Sequence, residues 1–223
     1  MELYKFLNNT TFFYKNIFEN EEFLEKVILE CDRLISENNF FARLGIKVKK
    51  TGNSVSINKN YKEYTDVEKF IFENSDKIST ENFQITRKDI DVNLSYDTTL
   101  TLNNKILEIV KYTYPTIAEK IQVEYSSIIK YESGYSMNKH VDGNENRICT
   151  AVFYLNSKEN NHGGDLLFYD STEKYSKEFL RYSPQKNECI LFDSFYNEYT
   201  LEHSVEEIKD WQRYVYRIYF KLK

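Results

Sequence analysis

The C-terminal half of the chain consists of short apolar stretches separated by polar turns, and this pattern constrains its fold more than any other feature. The stretches are rich in β-branched and aromatic residues and are too short for most helices. We expect about eight strands between Val123 and Phe220, at residues 122–131, 136–140, 148–156, 165–169, 178–182, 189–193, 200–205 and 213–221. The pattern therefore predicts a largely β core for this half.

Three residues in this half have the chemistry of a metal site. His140 and Asp142 are separated by one residue, so on an extended strand their side chains point to the same face. His203 is the candidate for a third ligand. Two imidazoles and one carboxylate form the facial triad of non-heme Fe(II) oxygenases, which leaves coordination positions open.

A His-x-Asp pair alone is weak evidence, because it is usually a solvated polar pair in a loop. Two features of the surrounding sequence strengthen the metal interpretation. Asp142 is followed by an apolar run that begins near Ile148, and His203 precedes the β-rich run after Arg213. Both histidines are therefore expected at strand edges.

Several motifs together carry a family resemblance. Residues 122–220 resemble the catalytic core of the prolyl 4-hydroxylase-like Fe(II)- and 2-oxoglutarate-dependent dioxygenases. The matching pieces occur in the order and near the spacings of that family: Tyr131-x-x-Gly134, His140-x-Asp142, Arg147-Ile148, Tyr154-Leu155, Gly163-Gly164-Asp165, Ile190-Leu191-Phe192, and His203 with Arg213.

The resemblance implies an α+β fold that is mainly β: a double-stranded β-helix, or cupin-like jelly roll, with N-terminal helices packed on one sheet. The length of 223 residues fits one domain. We expect residues 1–121 to form helical support with a possible lid and residues 122–223 to form the catalytic core.

The resemblance also implies Fe(II) as cofactor, with 2-oxoglutarate and O2 as cosubstrates. His140, Asp142 and His203 would be the catalytic metal ligands. Arg213 would bind the distal carboxylate of 2-oxoglutarate, because a planar guanidinium can hold a carboxylate through two hydrogen bonds. Tyr154 and Tyr131 would help to bind this cosubstrate, although in a chain with 19 tyrosines any one of them is more often structural.

Substrate contacts are not fixed by the motifs. Arg147, Tyr135 and Arg217 are candidates, and each could instead be structural. His162, the remaining histidine, is interpreted as a loop residue. Met137 stands where many members of the family have tyrosine, so hydrogen bonding in that corner of the site stays open.

The N-terminal part shows strand, helix and hairpin patterns. Residues 10–18 indicate a short strand, and Asn20 is the expected N-cap of a helix that follows. Residues 36–64 are polar, basic and glycine-containing, which indicates either a surface hairpin or a lid over the site.

Two further helices are expected before the β core. Thr65 and Glu68 have the spacing of a capping box, and the helix they begin should run to about Asp76. This helix is expected to bury Val67, Phe70 and Ile71. After a strand-like segment at residues 83–95, the spacing of Leu102, Ile106, Ile109 and Val110 predicts a third helix, which Pro115 bends or ends.

Net charge and composition limit the classes of partner that we expect. The net charge of −5 gives no electrostatic support for binding nucleic acid or an anionic membrane, so we expect neither partner. The N-terminal residues lack a leader pattern and the chain has no run as long as a membrane span, so we expect a cytoplasmic protein. The three cysteines are expected to be buried free thiols. The sequence leaves the oligomeric state open.

These features favour an oxygenase that hydroxylates an unactivated C–H bond of a free amino acid or small peptide-like molecule. The carboxylate of Asp142 favours hydroxylation over halogenation, because related halogenases have a small residue at that position. Three alternatives remain: a prolyl or other side-chain hydroxylase that acts on a protein, a non-catalytic module that binds metal or 2-oxoglutarate, and a nucleic-acid demethylase.

Overall fold

The computed structural model describes residues 1–7, 10–75, 83–142, 147–158, 162–170, 177–193 and 201–223. Its helices are α1 (Glu21–Ser36), α2 (Asp66–Glu73) and α3 (Tyr96–Thr113), with short 3-10 helices at Tyr61–Glu63 and Pro115–Lys120. Its strands are β1 (Glu2–Leu7), β2 (Thr11–Lys15), β3 (Phe41–Val48), β4 (Ser54–Asn60), β5 (Phe83–Val92), β6 (Ile121–Tyr131), β7 (Met137–His140), β8 (Arg147–Tyr154), β9 (Leu166–Asp170), β10 (Lys177–Tyr182), β11 (Glu188–Asp193), β12 (Glu202–Val205) and β13 (Arg213–Leu222).

The strands β6 to β13 divide between two sheets, and consecutive strands lie in different sheets except for β9 and β10. Within the described residues, the larger sheet contains the order β11-β8-β13-β6, and the smaller sheet has the order β10-β9-β12-β7. Every pairing among these strands is antiparallel. Because successive strands are shared between two facing sheets, the core is a double-stranded β-helix, as the sequence predicts.

Successive side chains along the strands of the larger sheet point to opposite faces of that sheet and pack in two different hydrophobic clusters. On β6, Ile128 packs with the helices behind the larger sheet, whereas Ile129 packs between the two sheets. On β8, Phe153 packs with the helices and Tyr154 packs between the two sheets. The period of two residues thus gives the larger sheet one face for the helices and one face for the candidate site.

The N-terminal half contributes strands as well as helical support. Strand β2 pairs with β11, and β5 pairs with β6, so the larger sheet extends in the order β1-β2-β11-β8-β13-β6-β5-β3-β4. The sequence predicts strands at the positions of β2 and β5 but does not predict that they pair with the core strands. Helices α1 and α3 pack behind the larger sheet, as expected, and α3 buries the predicted residues Leu102, Ile106, Ile109 and Val110.

The predicted helix starts are present. The Asn20 side chain accepts a hydrogen bond from the backbone N–H of Glu22 at the start of α1. Thr65 and Glu68 form a reciprocal capping box at the start of α2. Asp76, the predicted end of α2, lies outside the described residues, as does Thr200, the predicted start of strand β12.

The predicted buried face of α2 is wrong. Val67 and Phe70 are 67% and 60% exposed, and Ile71 is only half-buried. Instead Phe72 is buried, because its ring packs against Tyr61 and Tyr64 within the core behind the larger sheet. One buried aromatic side chain is enough to hold a helix of eight residues against the core. The number of apolar residues in its sequence does not show which face of the helix is buried.

The segment at residues 36–64 contains the expected hairpin. Strand β3 pairs with β4 and, on its other side, with β5. The hairpin therefore ends the extended sheet at one edge. Whether it moves as a lid stays a prediction.

The cysteines are buried free thiols, as the sequence predicts: Cys31, Cys149 and Cys189 are all free and buried. Among the described residues, no helix combines the length and the apolar character that a membrane span requires.

Candidate active site and metal centre

The three predicted metal ligands lie together at the mouth of the smaller sheet. His203 on β12 lies directly opposite His140 on β7, and their ring centroids are 4.2 Å apart. Asp142 follows β7, and its two carboxylate oxygens lie 3.6 Å from His140 Nε2 and 3.9 Å from His203 Nε2. In the described part of the chain, this is the one cluster of His, Cys, Asp or Glu whose ligand atoms lie within 4.8 Å of one another.

Hydrogen bonds orient both imidazoles for coordination. His140 Nδ1 is 2.8 Å from the carbonyl oxygen of Asn138, and His203 Nδ1 is 3.2 Å from that of Leu201. These carbonyls accept from a protonated Nδ1, which leaves each Nε2 as a free acceptor facing Asp142. Second partners of this kind fix the tautomer of a ligating histidine.

The charge states also suit a divalent cation. Burial lowers the pKa of His203 to about 4, so its imidazole is neutral at physiological pH. Burial opposes ionisation of Asp142, but its interactions with His140 and His203 outweigh that effect and hold its pKa well below the usual range. The neutral His203 imidazole and the ionised Asp142 carboxylate, together with the His140 imidazole, could hold Fe(II) on one face.

The predicted cosubstrate arginine is buried beside its predicted tyrosine. Arg213 is 2% exposed, and its Nη2 donates to the Tyr154 hydroxyl at 3.1 Å. Its Nε and Nη1 are buried and have no hydrogen-bond partner among the described residues. Burial raises the pKa of Tyr154 to about 12, so its hydroxyl stays protonated and can donate to an anion. A buried guanidinium with unused donors is a strong carboxylate-binding feature.

One cavity joins the metal ligands to both arginines of β13. It has about 410 Å³ of empty space, part of it open to solvent, and its lining includes His140, Asp142, His203, Arg213 and Arg217. The cavity therefore places the candidate metal ligands and two cationic side chains around one space.

Tyr131 and Tyr135 lie at this cavity as a stacked pair. Their ring centroids are 4.2 Å apart, and Tyr131 also lies under the Arg213 guanidinium. Of the two, Tyr131 lines the cavity. Tyr135 is buried behind it, at 3% exposure. Tyr135 therefore supports the position of Tyr131.

Arg147 acts on the metal site through the backbone. Its Nη1 donates to the carbonyl oxygen of Asp142 at 2.8 Å, its Nε pairs with Glu124 at 3.0 Å, and its guanidinium stacks 3.4 Å from the Tyr219 ring centroid. These contacts fix the chain at Asp142. His162 lies apart from the cluster, and its carbonyl oxygen accepts from Trp211 Nε1, as expected for a loop residue.

Sequence reasoning missed the charged residues next to Arg217. Asp91 on β5 is 1% exposed, accepts a hydrogen bond from Arg43 Nη2, and has an oxygen 3.7 Å from Arg217 Nη2. The signal was present, because Asp89 and Asp91 are separated by one residue in a strand and so face one side of the sheet. Their proximity to the site depends on the pairing of β5 with β6, which the sequence pattern does not specify.

Comparison with known families gives a match over residues 126–221 to the 2OG-Fe(II) oxygenase superfamily. A comparison with curated protein sequences gave no match.

Solved structures of similar fold include three with related descriptions. A prolyl-4-hydroxylase of Pseudomonas putida has 12% identity and a TM-score of 0.60, with 97% of this chain and 94% of that chain covered. The collagen prolyl hydroxylase of Paramecium Bursaria Chlorella virus-1, in complex with 2OG, has 14% identity and a TM-score of 0.54, with 96% of each chain covered. The epimerase SnoN, in complex with Fe3+, alpha ketoglutarate and nogalamycin RO, has 10% identity and a TM-score of 0.62, with 95% and 78% covered.

The family match covers the strands that carry His203, Arg213 and Tyr154, and the solved structures share the fold of the whole chain. The donor set of the cluster suits the Fe(II) that this family uses. Residues 126–221 match the 2OG-Fe(II) oxygenase superfamily, and with this ligand cluster and fold the protein is a 2-oxoglutarate-dependent oxygenase with Fe(II) as its cofactor.

Proposed function

We propose that the protein hydroxylates an unactivated C–H bond of a free amino acid or small peptide-like molecule, with His140, Asp142 and His203 as its iron ligands. The balanced reaction consumes the substrate R–H, O2 and 2-oxoglutarate and yields R–OH, succinate and CO2. The observation that carries the proposal is Arg213, a buried cation with two unused donors in the cavity of the three candidate ligands.

The chain's own residues would hold the iron and keep it accessible. Both Nε2 atoms and the Asp142 carboxylate face one another, and their Nδ1 partners and Arg147 fix that arrangement. Iron, when bound there, supplies the oxidation of the C–H bond by O2. Asp142 also favours hydroxylation, since its carboxylate takes a position that a halide ion would need.

Arg213 would position the cosubstrate. Its unused N–H groups can donate to the distal carboxylate of 2-oxoglutarate, and the Tyr154 hydroxyl can donate a further hydrogen bond. Tyr131 would cover one side of the carboxylate site, because its ring lies 5.3 Å from the guanidinium carbon. These contacts orient the cosubstrate and limit water around it.

The apolar part of the cavity supports a small substrate. Val152, Leu166, Val205 and Val215 line it, and all four are buried. Such a wall can pack against an aliphatic side chain and hold one C–H bond in place. A cytoplasmic location is part of the proposal, and the free thiols Cys31, Cys149 and Cys189 fit a reducing compartment.

An anaerobic titration tests the metal and cosubstrate sites. Apoprotein is mixed with Fe(II) and 2-oxoglutarate, and the visible charge-transfer absorption of the complex is recorded. We expect a band that requires both components and is lost in His140→Ala. A folded protein that gives no band would refute the assignment of these ligands.

A product screen tests the reaction. Free amino acids, short peptides and proline-rich proteins are incubated separately with enzyme, Fe(II), 2-oxoglutarate and O2. Succinate and substrates heavier by one oxygen atom are then measured. Exclusive oxidation of the peptides or proteins would replace the small-molecule proposal by the side-chain hydroxylase alternative.

A further inference from the structure

Arg217 is a second cation in the cavity, separate from the arginine that would bind 2-oxoglutarate. It lies four residues after Arg213 on β13, so both side chains project from the same face of the strand. Both arginines line the same cavity as Asp142. The proposed mechanism uses only Arg213.

The Arg217 guanidinium is held in place without being saturated. Its carbon lies 4.9 Å from the Tyr219 ring centroid, and its Nη2 lies 3.7 Å from Asp91 Oδ2, which is beyond hydrogen-bond length. Its Nε is buried and has no hydrogen-bond partner among the described residues. The side chain therefore keeps donors available for a ligand.

Asp91 cannot satisfy Arg217, because other groups use the same carboxylate oxygen. Arg43 Nη2 donates to Asp91 Oδ2, and the Tyr125 hydroxyl donates to that oxygen at 3.3 Å. Arg43 also lies 4.0 Å from Asp89. Asp91 thus attracts Arg217 by charge, while the oxygen nearest to Arg217 already accepts from Arg43 and Tyr125.

A partly desolvated guanidinium with free donors is stabilised by an anion that can accept from them. The distal carboxylate of 2-oxoglutarate is already matched by Arg213 and Tyr154. The Asp142 carboxylate is directed at the two histidines. A second anion, from the substrate, would complete the hydrogen bonding of Arg217.

The shape of the cavity limits what carries that anion. Its apolar wall includes Val152, Leu166 and Val205, and the substrate would share the space inside it with 2-oxoglutarate. A carboxylate joined to a short apolar body fits these features, whereas a large polar substrate does not.

We propose that the substrate is a small carboxylic acid of the free amino acid class, and that Arg217 determines specificity by binding its carboxylate. This inference rests on the proposed function and names the substrate class for the same site. Asp91 and Arg43 are positioning residues, since they act through Arg217.

The first test compares acids with their neutral analogues on the wild-type enzyme. The proteinogenic L-amino acids and the matching L-amino acid carboxamides are each incubated with Fe(II), 2-oxoglutarate and O2, and oxidised product is measured by mass. We expect at least one free acid to be oxidised and its carboxamide to have a kcat/KM about 100-fold lower, because a buried charge would lose its partner. Equal kcat/KM values for acid and amide would overturn the inference.

The second test uses Arg217→Lys and Arg217→Met with the oxidised amino acid. We expect Arg217→Met to lower kcat/KM for the acid mainly through KM and to remove the preference for acid over amide, with partial recovery in Arg217→Lys. Arg33→Met is the matched control, because Arg33 lies on the exposed surface of α1 and pairs only with Glu37 among the described residues. A merely structural role would lower melting temperature and affect acid and amide equally, which would also overturn the inference.

The charge-transfer band separates the two possible failures. If the wild-type band forms but no amino acid is oxidised, the substrate class is wrong while the iron and 2-oxoglutarate sites stand. If a folded wild type gives no band, the proposed function fails, and the inference fails with it. The wild-type comparison of acid and amide remains decisive even if an Arg217 variant does not fold.

Discussion

Arg213 lies directly opposite Tyr131 in the antiparallel pair β6–β13, and its guanidinium carbon is 5.3 Å from the centre of that ring. The pairing buries a cation under an aromatic face while leaving Nε and Nη1 without partners in the described part of the chain. The free protein therefore keeps a desolvated charge that a carboxylate would neutralise. Such a charge lowers the stability of the free protein, as expected if the proposed carboxylate site is formed before its ligand binds.

Arg213→Met should weaken 2-oxoglutarate binding without destabilising the free protein. Methionine removes the proposed anchor for the distal carboxylate, and it also removes a buried charge whose Nε and Nη1 have no hydrogen-bond partner among the described residues. We expect the KM for 2-oxoglutarate to rise about 100-fold or more, since a buried charge pair is lost. The melting temperature without ligand should stay equal or rise, and stabilisation by 2-oxoglutarate with Fe(II) should largely disappear. A large fall in the ligand-free melting temperature would show that Arg213 is mainly structural.

His140→Ala should abolish iron binding, and His162→Ala should not. His140 Nε2 faces Asp142 in the cluster, whereas the His162 hydrogen bonds from Trp211 and Lys209 go to its carbonyl oxygen, which alanine retains. Iron retained after gel filtration and the charge-transfer band measure the effect. Similar iron content in the two variants would place the metal elsewhere. The pair is well matched, because the chain has only three histidines and each variant removes one imidazole.

The strands of the core could be predicted because their apolar residues alternate and their ends carry polar turns. The strand that bears Arg213 was expected at residues 213–221 and spans Arg213–Leu222. Its partners could not be predicted in the same way, since register depends on contacts between distant segments. The proximity of Asp91 to Arg217 required the pairing of β5 with β6, and the buried face of α2 required the packing of Phe72 against Tyr61.

The same distinction applies to the site. His140, Asp142, His203 and Arg213 could be selected from residue type and motif order, which reflect the chemistry of metal and carboxylate binding. The orienting contacts of Arg147 could not be selected, because one of them goes to the backbone carbonyl of Asp142. A backbone acceptor exists at every position and therefore leaves no trace in the sequence.

Gly163→Ala should destabilise the protein strongly, and Gly52→Ala should not. Gly163 has φ of +65°, and a Cβ there would lie 1.8 Å from the Glu207 carbonyl oxygen. Gly52 has a similar φ of +73°, but no atom lies within 4 Å of its added Cβ. We expect a loss of more than about 3 kcal/mol at Gly163 and about 1 kcal/mol at Gly52, because only the first combines strain with a clash.

Chemical denaturation followed by circular dichroism measures both variants. The comparison separates backbone strain from the close contact, since the positive φ is common to the two sites. Equal losses would mean that the bridge between Gly163 and Ile208 opens at little cost to admit a methyl group.

The three thiols should resist modification in the native protein. Cys31, Cys149 and Cys189 are fully buried, and burial raises the pKa of Cys31 to about 12 and that of the other two thiols well above the usual value. Because the thiolate is the reactive form, few reactive groups exist at neutral pH and none is accessible. We expect negligible colour with Ellman's reagent in buffer and three thiols per chain in concentrated guanidinium chloride. Rapid reaction of one thiol in buffer would show that part of the core opens readily, and single Cys→Ser variants would identify which part.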